Sequence, residues 1–381
     1  MQIPFDYDSL RVVWWALLGA LLVGFAVFDG FDLGTAILLP FLGRTDMERR
    51  ILINSIGPVW EGNQVWFILG GGASFAAWPP VYAASFSGFY VAMFVTLVAL
   101  ILRPVAFKFR GKVDNPTWRS VWDWALFFGG LAPAVIFGVA FGNLLQGVPF
   151  RFDGDLRVVY SGTFFQLLNP FALLCGLLSV SMLVMHGAAY VRTKTVEPIA
   201  GRARLAGIVA SIATFALFAL GGLYAYAMLD GYAITSEIAA HAPSNPLRKT
   251  VEVATGAWMR NYDRHPWSQA APILGLVSAL LAAAMFALRR EAAAFVASAG
   301  AVVGIVTTPG LAMFPFIMPS SSEPNVSLTA WDASSSHLTL FVMLVAVMIF
   351  LPIVLAYTAW VYRVLRGKVP SHIFEPGGHA Y

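Results

Sequence analysis

The sequence predicts an all-α, polytopic membrane protein. Three observations carry that prediction. Charged residues make up 12% of the 381 positions, about half the usual share of a soluble domain. Mean hydropathy is +0.73. Apolar runs long enough to cross about 30 Å of hydrocarbon as helices recur along the whole chain. They are continuous rather than alternating with period two, which excludes a membrane β-barrel.

Apolar runs set against charged punctuation predict about nine spans: 12–41, 51–74, 78–103, 120–144, 163–190, 205–229, 269–288, 292–315 and 337–362. The first, about 45 Å long at 1.5 Å per residue, is expected to tilt, protrude or loosen near Gly30, Gly34 and Pro40. The acidic start MQIPFDYDSL lacks the basic region of a cleaved signal peptide, so the first run is expected to be retained. Residues 1–381 are read as a single integral-membrane domain, with segments 230–268 and 316–336 as ordered caps.

Charge sets the orientation. Of the 24 basic residues, seventeen fall on one side, including Arg44, Arg49, Arg50, Arg110, Arg119, Arg192, Arg202 and Arg366. The positive-inside rule makes that side cytoplasmic, with the N-terminus outside. The net charge of +4 is therefore a topology signal and calls for no nucleic-acid partner. Cys175, the single cysteine, excludes an intrachain disulfide and a thiolate metal cluster.

Charges at membrane depth are costly and are functional candidates by default. In VWEGNQVW, residues 59–66, a helix starting after Arg50 would put Glu61 about 16 Å from the inner face. Gln64 would share its face at i+3. A carboxyl group there suits a proton carrier; a carboxyl hydrogen-bonded within the bundle is the alternative. Asp29 and Asp32 lie three apart in GFAVFDGFDLG, with Arg103 at a similar depth. A helix-clamping ion pair and a proton entry route are both open readings of these charges. His186 is the one histidine near the inner half of a span, while His241, His265, His337, His372 and His379 fall in outer segments or near ends. One inner histidine does not build a haem site; a hydrogen-bonded core residue is expected. Trp60 and Trp66 flank the acid, and Trp78 is read as packing. GGGAS, 70–74, permits close helix contact and lacks the ending of a phosphate loop. No catalytic triad, H-E-x-x-H or Cys/His metal spacing is present. A proton-coupled secondary transporter is the rival reading, but the inverted repeats common in such proteins are not found.

GFAVFDGFDLG and GRTDMERRILINSIGPVWEGNQVWFILGGGASFAAWPPVYAASFSGFYVAM closely resemble subunit II of cytochrome bd ubiquinol oxidase. So do FGNLLQGVPF (141–150), FFQLLNPFALLCG (164–176), AMFPFIMPSSS (312–322) and SLTAWDASSSHLTL (327–340). The resemblance covers essentially the whole chain. It implies a multi-pass protein of the bacterial inner membrane, with nine helices in two four-helix bundles plus one peripheral helix. The implied complex oxidises quinol outside and reduces oxygen to water. Haem b558, haem b595 and haem d would all sit in the partner, subunit I, leaving no metal ligated by this chain. Small single-helix accessory subunits and a structural quinone are further implied partners. The family's acid in W-[DE]-G-N-Q-x-W falls on Glu61, assigned to proton delivery from the cytoplasm, with Asn63 and Gln64 organising water. Trp66 matches a tryptophan at the mouth of an oxygen channel. Asp32 and Arg103 match positions tied to complex integrity and haem environment.

Overall fold

A computed structural model describes residues 3–238 and 240–369; His372 and His379 lie outside them. Twelve α-helices dominate: α1 (Tyr7–Leu42), α2 (Asp46–Ile56), α3 (Trp60–Ala77), α4 (Pro79–Gly88), α5 (Tyr90–Phe109), α6 (Pro116–Gln146), α7 (Pro170–Lys194), α8 (Ile199–Ala227), α9 (Arg260–Arg264), α10 (Ala270–Ala287), α11 (Glu291–Met313) and α12 (His337–Val364). Among the described residues, eight helical segments are long and apolar enough to cross a membrane. They are α1, α5 to α8, α10 with its preceding turn, α11 and α12. Six short strands pair as three antiparallel hairpins, β1–β2, β3–β4 and β5–β6, within residues 150–160, 230–255 and 316–329.

The expected second and third spans are each broken. Gly57-Pro58-Val59 separates α2 from α3, because Pro58 has no N–H to donate and its ring clashes with the preceding turn. Thr45 and Glu48 form a reciprocal capping box that starts α2. Phe89 separates α4 from α5. Two features therefore differ from the sequence reading. The residues after Arg50 do not run straight into Glu61, so a depth counted along one helix does not hold. Arg103 sits inside α5 rather than at its end.

The first helix does not loosen. It runs unbroken for 36 residues, through Gly30 and Gly34 and into a last turn holding Pro40, about 54 Å in all. Its glycines serve packing instead. A Cβ on Gly34 would lie 1.9 Å from the Leu183 carbonyl oxygen, and one on Gly187 would lie 2.5 Å from the Gly34 carbonyl carbon. So α1 and α7 cross backbone to backbone, as small residues allow between membrane helices.

Packing sorts the long helices into two groups of four. One holds α1, α3, α5 and α6; the other holds α7, α8, α10 and α11. They meet where α1 lies on α7 and α11, and α6 on α7. Helix α12 stands outside both, touching α1 and α3. Its side chains are exposed or half-buried, with Leu340 the one fully buried.

Each end of α1 is tied down. At its start, the buried Arg11 donates through Nε to Ser334 Oγ at 2.7 Å, and through its terminal nitrogens to the Ala240 and Ala242 carbonyls. Beyond its end, Asp123 of α6 accepts from Arg110 at 2.6 Å and from Arg49 at 2.8 Å. Arg110 also pairs with Asp46 at 2.8 Å. Burial disfavours the Arg110 cation, but the two carboxylates more than compensate and hold its pKa above the ordinary value. Arg202 of α8 binds Glu48 and the Leu42 carbonyl.

Two outcomes are expected. Gly34→Ala should lower the stability of the purified protein by about 1–3 kcal/mol through overpacking, read as a fall in Tm. Gly19→Ala, with no atom within 4 Å of the new methyl group, should leave Tm unchanged. The hydrogen bond from Arg202 holds the Glu48 carboxyl below its ordinary pKa of 4.5. Such a group stabilises the folded state above its unfolded pKa and loses that contribution as pH falls through the lowered one. The Tm advantage of wild type over Glu48→Gln should therefore be full at neutral pH and close below about pH 4.5.

Candidate functional site: a buried acid cluster between the first, third and fifth helices

Helix α1 carries Asp29 and Asp32 on the face it turns toward α3 and α5, and the two acids have different partners. Arg103 of α5 donates to both oxygens of Asp29, at 2.9 and 3.1 Å. Neither side chain has any exposed surface. The two-pronged geometry suits a planar guanidinium. Isolated burial of either charge would be far costlier than burying the pair. Arg103 also lies 6.0 Å over the Trp60 ring, which stacks on Phe107. Its Nε is buried without a partner.

Asp32 makes no ion pair among the described residues. Its Oδ2 accepts from Asn63 Nδ2 at 2.8 Å, and Asn63 Oδ1 accepts from the Tyr362 hydroxyl at 2.7 Å. Asp32 Oδ1 and Thr35 Oγ1, one turn further along α1, are both buried and unpartnered. The polar cluster thus joins α1, α3, α5 and α12. Tyr362 is the member the sequence reading missed. Its only sequence signal is a tyrosine in the last turn of an apolar helix, 299 residues from Asn63.

The residues of VWEGNQVW divide between two faces of α3. Asn63 is buried and serves Asp32. Glu61 is exposed on the chain's surface and Gln64 is half-buried. The pair does not share a buried face, because α3 begins at Trp60 and packs through Asn63, Trp66 and Gly70. The Glu61 face continues through the exposed Val65, Ile68, Leu69 and Phe75. Trp66 is buried at 7% exposure, its indole lying flat on Gly24 and stacked on Phe28 at 5.4 Å.

His186 of α7 is fully buried, stacked on Phe295 at 5.0 Å. Its Nε2 lies 3.0 Å from the Val27 carbonyl, which fixes that nitrogen as a donor, and Nδ1 lies 2.8 Å from Ser298 Oγ. Among the described residues, no group of three or more His, Cys, Asp or Glu is placed to hold a metal ion. Two cavities lie near the cluster. One, about 720 Å³, runs between α1, α6, α7, α8, α10 and α11 with apolar walls that include Phe25, Phe141, Cys175 and Met182. A smaller cleft of about 420 Å³ lies beside Tyr362, walled by Phe28, Phe31, Tyr190 and Phe295 and edged by Lys194 and Arg366.

Fold and site define a polytopic membrane subunit whose internal polar chemistry centres on one cluster. Residues 10–365 match the model of cytochrome bd terminal oxidase subunit II. The chain is 52% identical to a probable cytochrome oxidase subunit 2 of Haemophilus influenzae, over 98% of this chain and 99% of that one. It is 50% identical to cytochrome bd-I ubiquinol oxidase subunit 2 of Escherichia coli K12, with the same coverage. To the Bacillus subtilis cytochrome bd ubiquinol oxidase subunit 2 it is 33% identical, over 96% of this chain and 98% of that one. A solved bd oxidase from Geobacillus thermodenitrificans superposes with a TM-score of 0.70 at 15% identity, covering 93% of this chain and 98% of that one. The chain belongs to the cytochrome bd terminal oxidase subunit II family. It is a component of a multi-subunit, haem-containing terminal oxidase of the bacterial cell membrane.

Removing one partner of the Asp29–Arg103 pair leaves the other charge buried and alone, which costs about 3–5 kcal/mol. Asp29→Asn should sharply reduce the yield of folded complex. Asp29→Asn combined with Arg103→Gln should recover part of it, as measured by membrane-extracted protein and its Tm.

Proposed function

We propose that this chain is the haem-free subunit that stabilises the haem-bearing subunit I and delivers protons to it from the cytoplasm while oxygen is reduced to water. The observation that carries the reading is the position of Glu61. Its carboxyl group sits on an outward stripe of α3 otherwise made of Val65, Ile68, Leu69 and Phe75. A charge on an apolar membrane-helix surface is costly against lipid. It is tolerated against a protein neighbour that supplies hydrogen-bonding groups, which suits a shared subunit boundary. Asn63, Gln64 and the acids Asp29 and Asp32 place further polar groups on the inner side of the same helices.

The direction of delivery follows from charge. The basic residues of the α2, α5–α6, α7–α8 and α10–α11 junctions put those ends in the cytoplasm, so the N-terminus lies outside. Quinol oxidation outside releases protons there. Water formation then consumes protons taken from the other side, and the cycle builds a membrane potential. The three haems, b558, b595 and d, belong to subunit I, which the histidine-poor interior of this chain fits.

A quinone held structurally in this subunit is supported by the 720 Å³ cavity. Its apolar walls suit an isoprenoid chain, and the Gln269 amide, which has a second hydrogen beyond the one directed at the Tyr262 carbonyl, supplies a donor for a carbonyl oxygen. For Trp66, its place beside the Glu61 stripe supports a role along the path of oxygen. Burial beneath Phe28 means that this role needs the ring to move.

Glu61→Gln keeps the size and hydrogen-bonding capacity of the side chain and removes its titratable proton. In the assembled oxidase it should lower quinol-dependent oxygen consumption by about 10²–10⁴-fold if proton relay limits turnover. The haem absorption spectrum should stay unchanged. Wild-type oxygen consumption would refute the relay, and loss of haem with loss of assembly would assign Glu61 a structural role.

A further inference from the structure

Asp29 and Asp32 of α1 look alike in sequence, but their surroundings differ. Both oxygens of Asp29 are held by Arg103. One oxygen of Asp32 is held by Asn63, and the other, Oδ1, is buried without a partner. Two more unpartnered buried atoms lie on neighbours, Thr35 Oγ1 one turn along α1 and Nε of Arg103. Leaving such an atom bare is unfavourable, because its bonds to water are lost without replacement. Internal water is the usual remedy in a polar pocket.

We propose that Asp32 is the proton-loading carboxyl of this subunit, and that Tyr362, acting through Asn63, is the residue that positions it. The hydroxyl of Tyr362 donates to Asn63 Oδ1, which fixes the amide so that Nδ2 faces Asp32 Oδ2. With Oδ2 committed, Oδ1 alone is free to exchange protons with internal water near Thr35 and Arg103. The step moves one proton from water on the cytoplasmic side onto the Asp32 carboxylate and later releases the same proton onward; no electrons move. Asp29 takes no part, because its oxygens and the charge of Arg103 satisfy each other.

The location of Tyr362 supports this assignment. Its ring forms part of the wall of the 420 Å³ cleft whose edge carries Lys194 and Arg366, while its hydroxyl lies in the acid cluster. It therefore stands between the inner ends of α7 and α12 and the only acid of the cluster with a free oxygen. The end of α12 is held in place there. Lys194 Nζ donates to the Leu365 carbonyl at 2.6 Å, and the Val369 amide donates to the Lys194 carbonyl at 2.8 Å. Phe28 and Phe31 pack against the Tyr362 ring at 6.0 and 6.4 Å.

This inference rests on the reading that the subunit delivers protons, and the test separates the two. Tyr362→Phe removes one oxygen atom and keeps the packing. In the complete oxidase, turnover should fall by about tenfold, the rate equivalent of one hydrogen bond, with haem absorption unchanged. Redox-difference infrared spectra should show a carboxyl C=O band that moves in Tyr362→Phe and disappears in Asp32→Asn. If Asp32→Asn does not assemble, the shift in Tyr362→Phe against an unmoved band in Tyr357→Phe, an exposed tyrosine one and a half turns earlier, makes the assignment. Wild-type turnover and an unmoved band in Tyr362→Phe overturn the proposal. If Glu61→Gln slows turnover while Tyr362→Phe does not, the Glu61 relay stands and Asp32 loading falls. Slowing by Tyr362→Phe with a moved band, beside a full-speed Glu61→Gln, supports Asp32 and removes Glu61 from the path.

Discussion

The two-pronged bond between Asp29 and Arg103 is the contact on which the interior of this subunit depends. Both groups are wholly buried, and neither could remain charged there alone. Their pairing fixes α5 against α1 at one register, because a guanidinium fork tolerates little sliding along a carboxylate. Once α5 is fixed, Trp60 can stack on Phe107 and the start of α3 is set. Asn63 then lies opposite Asp32. The neutralised pair thus frees its neighbour: Asp32, three residues on, is bonded to Asn63 rather than to the guanidinium and keeps an oxygen unengaged.

Around this pair the protein separates structural from chemical polarity. Ionic networks occupy the helix ends, where Asp123 joins Arg49 and Arg110, and Arg202 joins Glu48. At the opposite end Arg11 gathers the loops through Ser334 and backbone carbonyls. Between them, one stretch of α3 presents two faces with different tasks. Asn63 faces inward to the acid cluster; Glu61 faces outward along an apolar stripe. A single turn of helix therefore connects the interior of this chain with its outer surface.

Much of this was legible in the residues alone. Charged side chains inside apolar runs are costly enough to mark Asp29, Asp32 and Arg103 at once. The helix breaks were less visible. Gly57-Pro58 was a signal, but the apolar residues on both sides read as one span. The inward and outward assignments of Asn63 and Glu61 were not legible, because hydropathy does not say which face of a buried helix meets its own bundle. Tyr362 was hidden for a different reason. Its importance lies in a contact across 299 residues, and nothing local distinguishes it from Tyr357, the other tyrosine of α12.

The crossing of α1 and α7 at Gly34 and Gly187 has no slack. A backbone carbonyl already occupies the space a single methyl group would need, so the two helices cannot rotate past each other without first separating. Asp32 sits two residues before one glycine and His186 one residue before the other, so both inherit that immobility. Whatever rearranges beside this crossing must therefore be small: the turn of a hydroxyl or the flip of an amide. The crossing is a fixed mount, against which the side chains of both helices are held in alignment.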